Sequence, residues 1–323
     1  MMERLSRIAR KHRFAGMLIR KTSNIVVAAK SKLPQGAFAQ LTYWQNGRKG
    51  ILNLKNPKTF NEKLWWLKFH YRNPLQKICS DKYRVHEYLH QLGEECGELE
   101  LPLVGVYKRV EDIDLSQFDK EVIFKLNVGS GANMIYNPQI GIDENHFRAF
   151  FMERLHHDYY QNSREWNFKD VPPVIIAEQV LRDAHGNLPI DYKFMCFSGK
   201  PVYVFCSEGA MDSEGRHSVD GVRFTNIYDM DWNLTEIVSS YPRRPDIQIT
   251  PPKCFDRMKE IAAKLSEPFP HVRIDLYEIE GKIYLGEFTF FHSGGCGNIE
   301  PISAAESMGE MIRIDSIGKE HLI

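Results

Sequence analysis

The chain has 323 residues, 42 of them basic and 42 acidic, with 43% hydrophobic and 26% charged side chains. That length accommodates two or three subdomains around substantial cores, and the composition is ordinary for a globular protein. A net charge of zero removes the bulk electrostatic argument for a nucleic-acid partner, and no apolar run of eighteen residues is present to form a spanning helix.

Charge is nevertheless uneven along the chain. From Met1 to Lys32 there are nine Lys or Arg and one acid, Glu3. Leu5, Ile8, Ala9, Leu18 and Ile19 recur at helical intervals among Arg4, Arg7, Arg10, Lys11 and Arg13. This predicts a basic amphipathic helix to about residue 33, ended by Pro34 and Gly36. Such a segment either lies on an anionic membrane surface or packs on the domain with its charges solvated. The opening MMERLSRIARKHRF has no unbroken apolar core and no small-residue cleavage site, which speaks against a signal peptide. The six cysteines (Cys79, Cys96, Cys196, Cys206, Cys254 and Cys296) form no C-x-x-C pair and read as reduced thiols of a cytoplasmic protein. His292 and Cys296 lack the second pair that a zinc site needs.

A second helix is expected after Asn56-Pro57-Lys58, with Thr59 as N-cap and Glu62 completing a capping box. Its apolar positions include Leu64, Trp65, Trp66, Leu67 and Phe69, read as core. Asp81 to Leu92 forms a third helix closed by Gly93. A short apolar run from Leu99 to Val106 is broken by Pro102. Glu121 to Leu126 is a strand leading into the turn Gly129-Ser130-Gly131. Asp143 to Tyr160 is helical, and Val174 to Val180 is an apolar strand. Two hairpins follow, Tyr192–Phe197 with Pro201–Cys206 and His271–Ile279 with Ile283–Phe290, separated by the amphipathic helix Phe255–Leu265. The sum is an α+β architecture: helices in front, mixed structure in the centre, antiparallel hairpins behind.

The last hairpin carries the strongest chemical signal. Its strands are apolar, yet Arg273, Asp275 and Glu287 interrupt them, and a buried charge is costly unless paired or bound to a metal. Arg273 and Asp275 share a face, as do Glu287 and Thr289. A two-residue Glu280-Gly281 turn places Asp275 and Glu287 on opposite faces, whereas a three-residue loop with a Gly bulge places them opposite one another on one face. Only the second geometry suits Mg²⁺ carried on a polyphosphate; a structural Arg–Asp–Glu network is the other reading. Lys125 lies in a strand just before a glycine loop whose N–H groups could wrap phosphate, although neither a P-loop nor G-x-G-x-x-G is present. Ser80-Asp81-Lys82 opens a helix well upstream.

Taken in order, these pieces resemble the ATP-grasp ligases. The segments NPKTFNEKLWWLKF, DKYRVHEYL, FKLNVGSGAN, YYQNSREWNF, VIIAEQVL, DYKFMCFSGKP, FTNIYDMDWN, FPHVRIDLY and GKIYLGEFTF resemble the TupA-like ATP-grasp proteins, named for teichuronic acid biosynthesis. The resemblance runs from Asn56 to Phe291. It implies an ATP-grasp fold in which antiparallel hairpin sheets clamp a nucleotide. It also divides the chain into a basic helical segment (1–55), an N-terminal subdomain (56–115), a central lid (116–180) and a C-terminal catalytic subdomain (181–323).

The same resemblance assigns roles. Lys82 and Lys125 neutralise ATP phosphates under the loop Gly129, Ser130 and Gly131. Glu178, Gln179 and Val180 hold adenine and ribose. Asp275 and Glu287 ligate Mg²⁺, and Arg273 faces the acyl phosphate. One departure concerns Thr289, where many ATP-grasp enzymes carry Asn; a hydroxyl is a poorer metal ligand, which puts a second metal in question. Asp191 and Lys193 share a strand face and either line the site or pair with neighbours, the family match favouring the site. Arg216, His217 and Arg223 form either a solvated loop or a grip on an acidic substrate such as a uronate. Ser163-Arg164-Glu165-Trp166 is a further binding-loop candidate that spacing alone does not establish.

The implied activity is ATP- and Mg²⁺-dependent ligation of a carboxylate to an amine through an acyl phosphate, in bacterial surface-polysaccharide synthesis. The implied partners are a free or glycan-linked carboxylate and an amino acid or amine. The expected location is cytoplasmic, with the basic segment available for contact with the inner membrane or other assembly enzymes. The rival reading is a glycosyltransferase holding a metal on Asp229-Met230-Asp231, a D-x-D in which Lys82, Lys125 and the Arg273 hairpin have no role.

Overall fold

The computed structural model of the chain describes residues 27, 29–208 and 224–323. Residues 1–26 of the expected basic helix therefore lie outside the described residues, as do Arg216, His217 and Arg223. A helical stretch ends at Ser31, just before Pro34 as expected, but Pro34 then precedes a further helix, α1 (Gln35–Gln45), with Gly36 inside it. The next helix, α2 (Phe60–His70), starts as the sequence predicts. The Thr59 side chain accepts from the Glu62 N–H, and the Glu62 carboxylate accepts from the Thr59 N–H at 3.0 Å. Its buried side includes Leu64, Trp65, Leu67 and Phe69, so the core reading of Trp65 and Phe69 holds, while Trp66 is half-buried.

The helix expected from Asp81 to Leu92 starts late, at Val85, because residues 81–84 form a turn after a separate helix. α3 (Leu75–Ser80) stops where the buried Asp81 carboxylate accepts from the N–H groups of Tyr83 and Arg84, and α4 (Val85–Gln91) begins beyond it. An Asp capping its own downstream backbone competes with helix continuation. Lys82 consequently sits in a turn, its N–H bonded to the Asn127 carbonyl at 3.0 Å. A single-turn helix, α5 (Glu94–Gly97), follows.

The first sheet contains β1 (Leu103–Tyr107), β2 (Val122–Leu126), β3 (Asn133–Tyr136) and β4 (Ile175–Gln179), in the order β1-β4-β2-β3 with every pair antiparallel. Along β2 the side chains alternate: Val122, Phe124 and Leu126 are buried, while Ile123 and Lys125 face the other way. The buried row packs with Phe147 and Phe151 of α6 (Glu144–Leu155). That helix is shorter than expected, because Asp158 caps a separate turn, α7 (Tyr159–Ser163), by accepting from the Gln161 N–H.

The second sheet contains β5 (Asp191–Phe197), β6 (Lys200–Glu208), β7 (Phe224–Asp229), β8 (Val272–Ile279) and β9 (Lys282–Thr289), ordered β7-β6-β5-β8-β9 and again antiparallel. The helix α8 (Phe255–Ser266) covers one face with Met258, Ile261, Ala262 and Leu265, and α9 (Ile302–Met311) packs on α2. The other face carries Asp191, Lys193, Arg273, Asp275 and Glu287 in a group beside the buried Met195, Phe205 and Ile227.

Both hairpin turns are tighter than expected. Phe197 pairs with Lys200 and Ile279 with Lys282, leaving Ser198-Gly199 and Glu280-Gly281 as two-residue turns with φ of 49° and 78°, and 52° and 85°. Such left-handed pairs match the twist of the strands. A two-residue turn alone would put Asp275 and Glu287 on opposite faces. The register instead shifts between Asp275 and Leu276, so Asp275 pairs with Glu287 while Leu276 pairs with Leu285. The residue bulged out is Gly286. A Cβ there would lie 2.9–3.0 Å from the Tyr277 ring, so the bulge is reserved for glycine. The two acids share a face as the metal reading requires, but through a bulge inside β9 rather than a longer loop.

Candidate functional site

The charged face of the second sheet looks across a cleft of about 380 Å³ at the Lys125 side of the first. The cleft is lined by Lys82, Lys125, Ser130, Gly131, Glu178, Gln179, Val180, Asp191, Lys193, Asp275 and Glu287 among the predicted residues. Sequence positions more than 200 apart are thus brought to one place, with Ile123, Ile135, Leu181, Leu188 and Pro189 giving it an apolar end. Pockets with apolar walls and few convergent polar groups are the usual form of small-molecule sites.

On the lid wall, Lys125 and Glu178 sit diagonally across β2 and β4, and the ammonium donates to the carboxylate at 2.6 Å. Gly129 and Gly131 have φ of 73° and 76°. A Cβ on Gly129 would approach the Tyr159 ring to 2.3 Å, so the loop rests directly on that aromatic face. The Lys82 ammonium donates to the Gly129 carbonyl at 2.7 Å and lies 3.9 Å from Glu287. Lys82 therefore joins the loop to the opposite sheet. Burial lowers its pKa, with Glu287 acting against that shift.

On the other wall one guanidinium organises the charges. Arg273 Nε and Nη2 donate to the two oxygens of Asp275 at 2.6 Å each, and Nη2 also donates to Glu287 Oε1 at 2.9 Å. Its Nη1 reaches His292 Nδ1 at 3.2 Å. The Thr289 hydroxyl donates to Glu287 Oε1 at 3.0 Å. Lys193 bonds to Asp191 and lies 3.5 Å from Asp275, so Asp191 and Lys193 both line the cleft and pair with neighbours. Asp191 Oδ1 is buried without a hydrogen-bond partner among the described residues.

The electrostatics follow from this packing. Burial raises the Asp275 pKa, opposed by Arg273 and Lys193. Burial works in the same direction on Glu287, but Lys82, Arg273 and Lys193 outweigh it and hold the carboxyl below its usual range. Burial would lower Lys193, yet Asp191 and Asp275 raise it on balance. His292 is pushed well below its normal value by burial and by Arg273, so it stays neutral with a lone pair available on Nδ1.

Three contributors were missed in the sequence. His292 was weighed only as a zinc ligand, although its position just after a charged strand was a signal. Tyr277 and Gly286 act through a bulge that carries no local sequence mark beyond the glycine itself. Glu165 of the Ser163–Trp166 segment instead pairs with the buried Lys68 at 3.5 Å, and Trp166 lies between Arg72 and Lys77. Asp229 is not in the cleft lining: its carboxylate accepts from the N–H groups of Asp231 and Asn233 and from the Asn233 amide.

Hard oxygen donors at the cleft fit a divalent cation. Among the described residues no three His, Cys, Asp or Glu side chains converge on one point, so such a cation would draw most of its ligands from phosphate oxygens and water.

Two antiparallel sheets facing each other over a cleft lined by three lysines and four acids are the arrangement expected of the ATP-grasp fold. Residues 62–313 match the family described as TupA-like ATPgrasp, and the chain belongs to that family. No curated protein matches the sequence. Among solved structures, D-alanine–D-alanine ligase from Bacillus anthracis is 15% identical, with a TM-score of 0.41 over 73% of this chain and 66% of that one. The D-cycloserine synthetase DcsG is 15% identical, with a TM-score of 0.40 over 74% and 71%. The ATP-grasp ligase PsnB, complexed with minimal precursor, is 12% identical, with a TM-score of 0.40 over 75% and 63%. The chain spans 54–66% of the length of the first three matched chains.

Proposed function

We propose that this protein is an ATP- and Mg²⁺-dependent carboxylate–amine ligase. The observation that carries the reading is the opposition of Lys82, Lys125 and a glycine loop on one wall to Asp275 and Glu287, both held by Arg273, on the other. A carboxylate is a poor electrophile, and phosphorylation to an acyl phosphate lets an amine attack. Phosphoryl transfer depends on positioning and charge neutralisation more than on covalent help from the protein. Lys82 and Lys125 would take the phosphates, exchanging the Gly129 carbonyl and Glu178 for ligand oxygens. Gln179 and Val180, with the apolar end, would receive the base. Glu287, with Asp275 beside it, would hold Mg²⁺, which when bound would offset the phosphate charge. Arg273 and Lys193 would steady charge at the reacting centre, with Asp191 fixing Lys193. The loop around Ser130, closing over the phosphates, would keep water from the acyl phosphate.

The family points to surface polysaccharide as the setting: a uronic acid sugar joined to an amino acid or amine, in capsule, O-antigen or teichuronic acid. Arg216, His217 and Arg223 would grip the sugar carboxylate. Among the described residues no helix is long and apolar enough to cross a membrane, and contact with the inner face of the membrane would fall to the basic segment. The glycosyltransferase reading loses support because Asp229 is spent on a turn. The test is ADP release with Mg²⁺ across a panel of amino acids and free, nucleotide-linked or glycan-linked uronic acids. ADP formation that needs both a carboxylate and an amine is expected. Metal-dependent UDP release from a UDP-sugar, with no ADP from any pair, would overturn the reading.

A further inference from the structure

We propose that the site takes one divalent cation, arriving on the nucleotide, and that Arg273 occupies the place where a second cation would bridge Asp275 and Glu287. The inference rests on the ligase reading above but concerns a different quantity, the number of metal ions.

Asp275 and Glu287 offer four carboxylate oxygens, and three are already engaged. Asp275 Oδ1 and Oδ2 each accept from Arg273 at 2.6 Å, and Glu287 Oε1 accepts from Arg273 at 2.9 Å and from Thr289 at 3.0 Å. Glu287 Oε2 accepts no hydrogen bond among the described residues, and the nearest cation to it is Lys82 at 3.9 Å. Each Asp275 oxygen keeps a second lone pair, but Arg273 Nη2 is shared between Asp275 Oδ2 and Glu287 Oε1, where a bridging cation would lie. The guanidinium spans the two carboxylates as a bridging metal would, with a fixed charge and a planar fork suited to both.

Arg273 is also hard to displace. It is 9% exposed, and its remaining amino group is fixed by the neutral His292 at 3.2 Å. Driving it out would strand a buried guanidinium without its acids, which is strongly unfavourable. Two carboxylates opposite one another in a buried sheet would repel without a counter-ion, and the chain supplies its own. Free cation therefore has little to gain in the empty site, whereas cation carried on phosphate brings most of its own ligands.

The test is a Mn²⁺ titration of the full chain, read by the electron paramagnetic resonance of free Mn²⁺, with and without a non-hydrolysable ATP analogue. Expected are about one Mn²⁺ per chain with the analogue and no tight Mn²⁺ without it. Arg273→Met, by opening the bridging position, is expected to admit a second Mn²⁺ beside the analogue. Should that variant fail to fold, Arg273→Lys keeps a charge but cannot span both acids and is expected to do the same. Two Mn²⁺ of similar affinity in the wild type would overturn the proposal while leaving nucleotide binding intact. A count that stays at one in the folded Arg273 variant would overturn the role given to that residue. Failure of the analogue to bind at all would remove the ligase reading, and this proposal with it.

Discussion

The two sheets that face each other across the cleft hold their charges in different ways. The first sheet brings one ion pair, Lys125–Glu178, beside a glycine loop, and its core is a small cluster around Phe124, Phe147 and Phe151. The second brings Arg273, Asp275, Glu287, Lys193 and Asp191 in one connected network, backed by the largest core of the molecule. A single pair can be exchanged for a ligand group at the loss of one contact. A network in which every charge but Asp191 has two or more partners cannot lose a central member without stranding others. The arrangement suggests a division of labour: the lid wall adapts to the nucleotide, and the hairpin wall keeps its geometry.

The sharpest way to break this comparison is to remove the centre of the network. Arg273→Met leaves the buried Asp275 without its partner, facing the half-buried Glu287, and breaking a buried pair costs roughly 3–5 kcal/mol. Thermal or denaturant unfolding of the nucleotide-free protein measures this directly, and ADP formation should fall with it. Asp275→Asn should destabilise in the same direction. From sequence the sign of that change was open, since repulsion between the acids would have made their removal stabilising; the bidentate contact to Arg273 decides it. A rise in melting temperature for Asp275→Asn would mean that the network is not what holds the hairpin.

The matching change in the lid is smaller. Lys125→Met removes one charged hydrogen bond from a partly buried pair, worth about 1.5–3 kcal/mol. Its main effect should be on nucleotide affinity, because the ammonium lines the cleft. Calorimetry with ATP is expected to show at least tenfold weaker binding, about 1.4 kcal/mol. Unchanged affinity would take Lys125 out of the site and leave the lid wall with Lys82 alone.

How much of this could be read beforehand divides along the same line. Six strands, β2, β4, β5, β6, β8 and β9, were legible as apolar runs, whereas β3 and β7 went unread and β1 showed only as a broken apolar run. The capping box at Thr59 and Glu62 placed the start of α2. Helix limits were not legible: Asp81 holds a turn where a helix was expected to start, and Asp158 caps a separate turn where one was expected to run on, both by accepting from downstream N–H groups, and periodicity is blind to that competition. Most of the site residues could be listed from the family resemblance, but their pairing could not. Whether Asp275 meets Glu287 depends on Gly286 bulging past Tyr277, a contact between residues nine positions apart that only the folded hairpin reveals. His292 was invisible as a partner of Arg273 for the same reason.

A third prediction uses acid. His271 is buried between Phe60 and Phe197, with Nδ1 2.9 Å from the Cys196 carbonyl, and burial pushes its pKa down to about 3. An unfolded histidine titrates near 6.5, so the folded value is depressed. The stability linked to it is complete above about pH 6.5 and is lost as pH falls towards 3, by about 1.4 kcal/mol per pH unit. His292 acts in the same direction. The raised Asp275 acts oppositely, because its contribution declines as pH rises from the unfolded value towards about 6. The difference between proteins is therefore the quantity to read. His271→Gln should show a visibly shallower decline in melting temperature between pH 6.5 and 5 than the wild type, and equal slopes would refute the assignment.

The smallest effect expected lies outside the cleft, and it separates the ligase from its rival. Asp229 ends β7 with its carboxylate accepting from the Asp231 and Asn233 N–H groups at 3.0 and 2.8 Å and from the Asn233 amide at 3.0 Å. That is the geometry of an Asx turn, in which the side chain stands in for a backbone acceptor. Asp231 is exposed and only donates its N–H. Asp229→Asn keeps an acceptor oxygen and should cost about 1 kcal/mol or less, whereas Asp229→Ala loses all three contacts and should cost somewhat more. Asp231→Asn should stay within about 0.5 kcal/mol of the wild type, as exposed substitutions generally do. None of the three should alter ADP formation in the folded protein, since neither aspartate lines the cleft. The measurement pairs a melting curve with ligase turnover for each variant. If Asp231→Asn abolished metal-dependent turnover at an unchanged melting temperature, the D-x-D would be a working metal site, and the charges gathered between the two sheets would need another explanation.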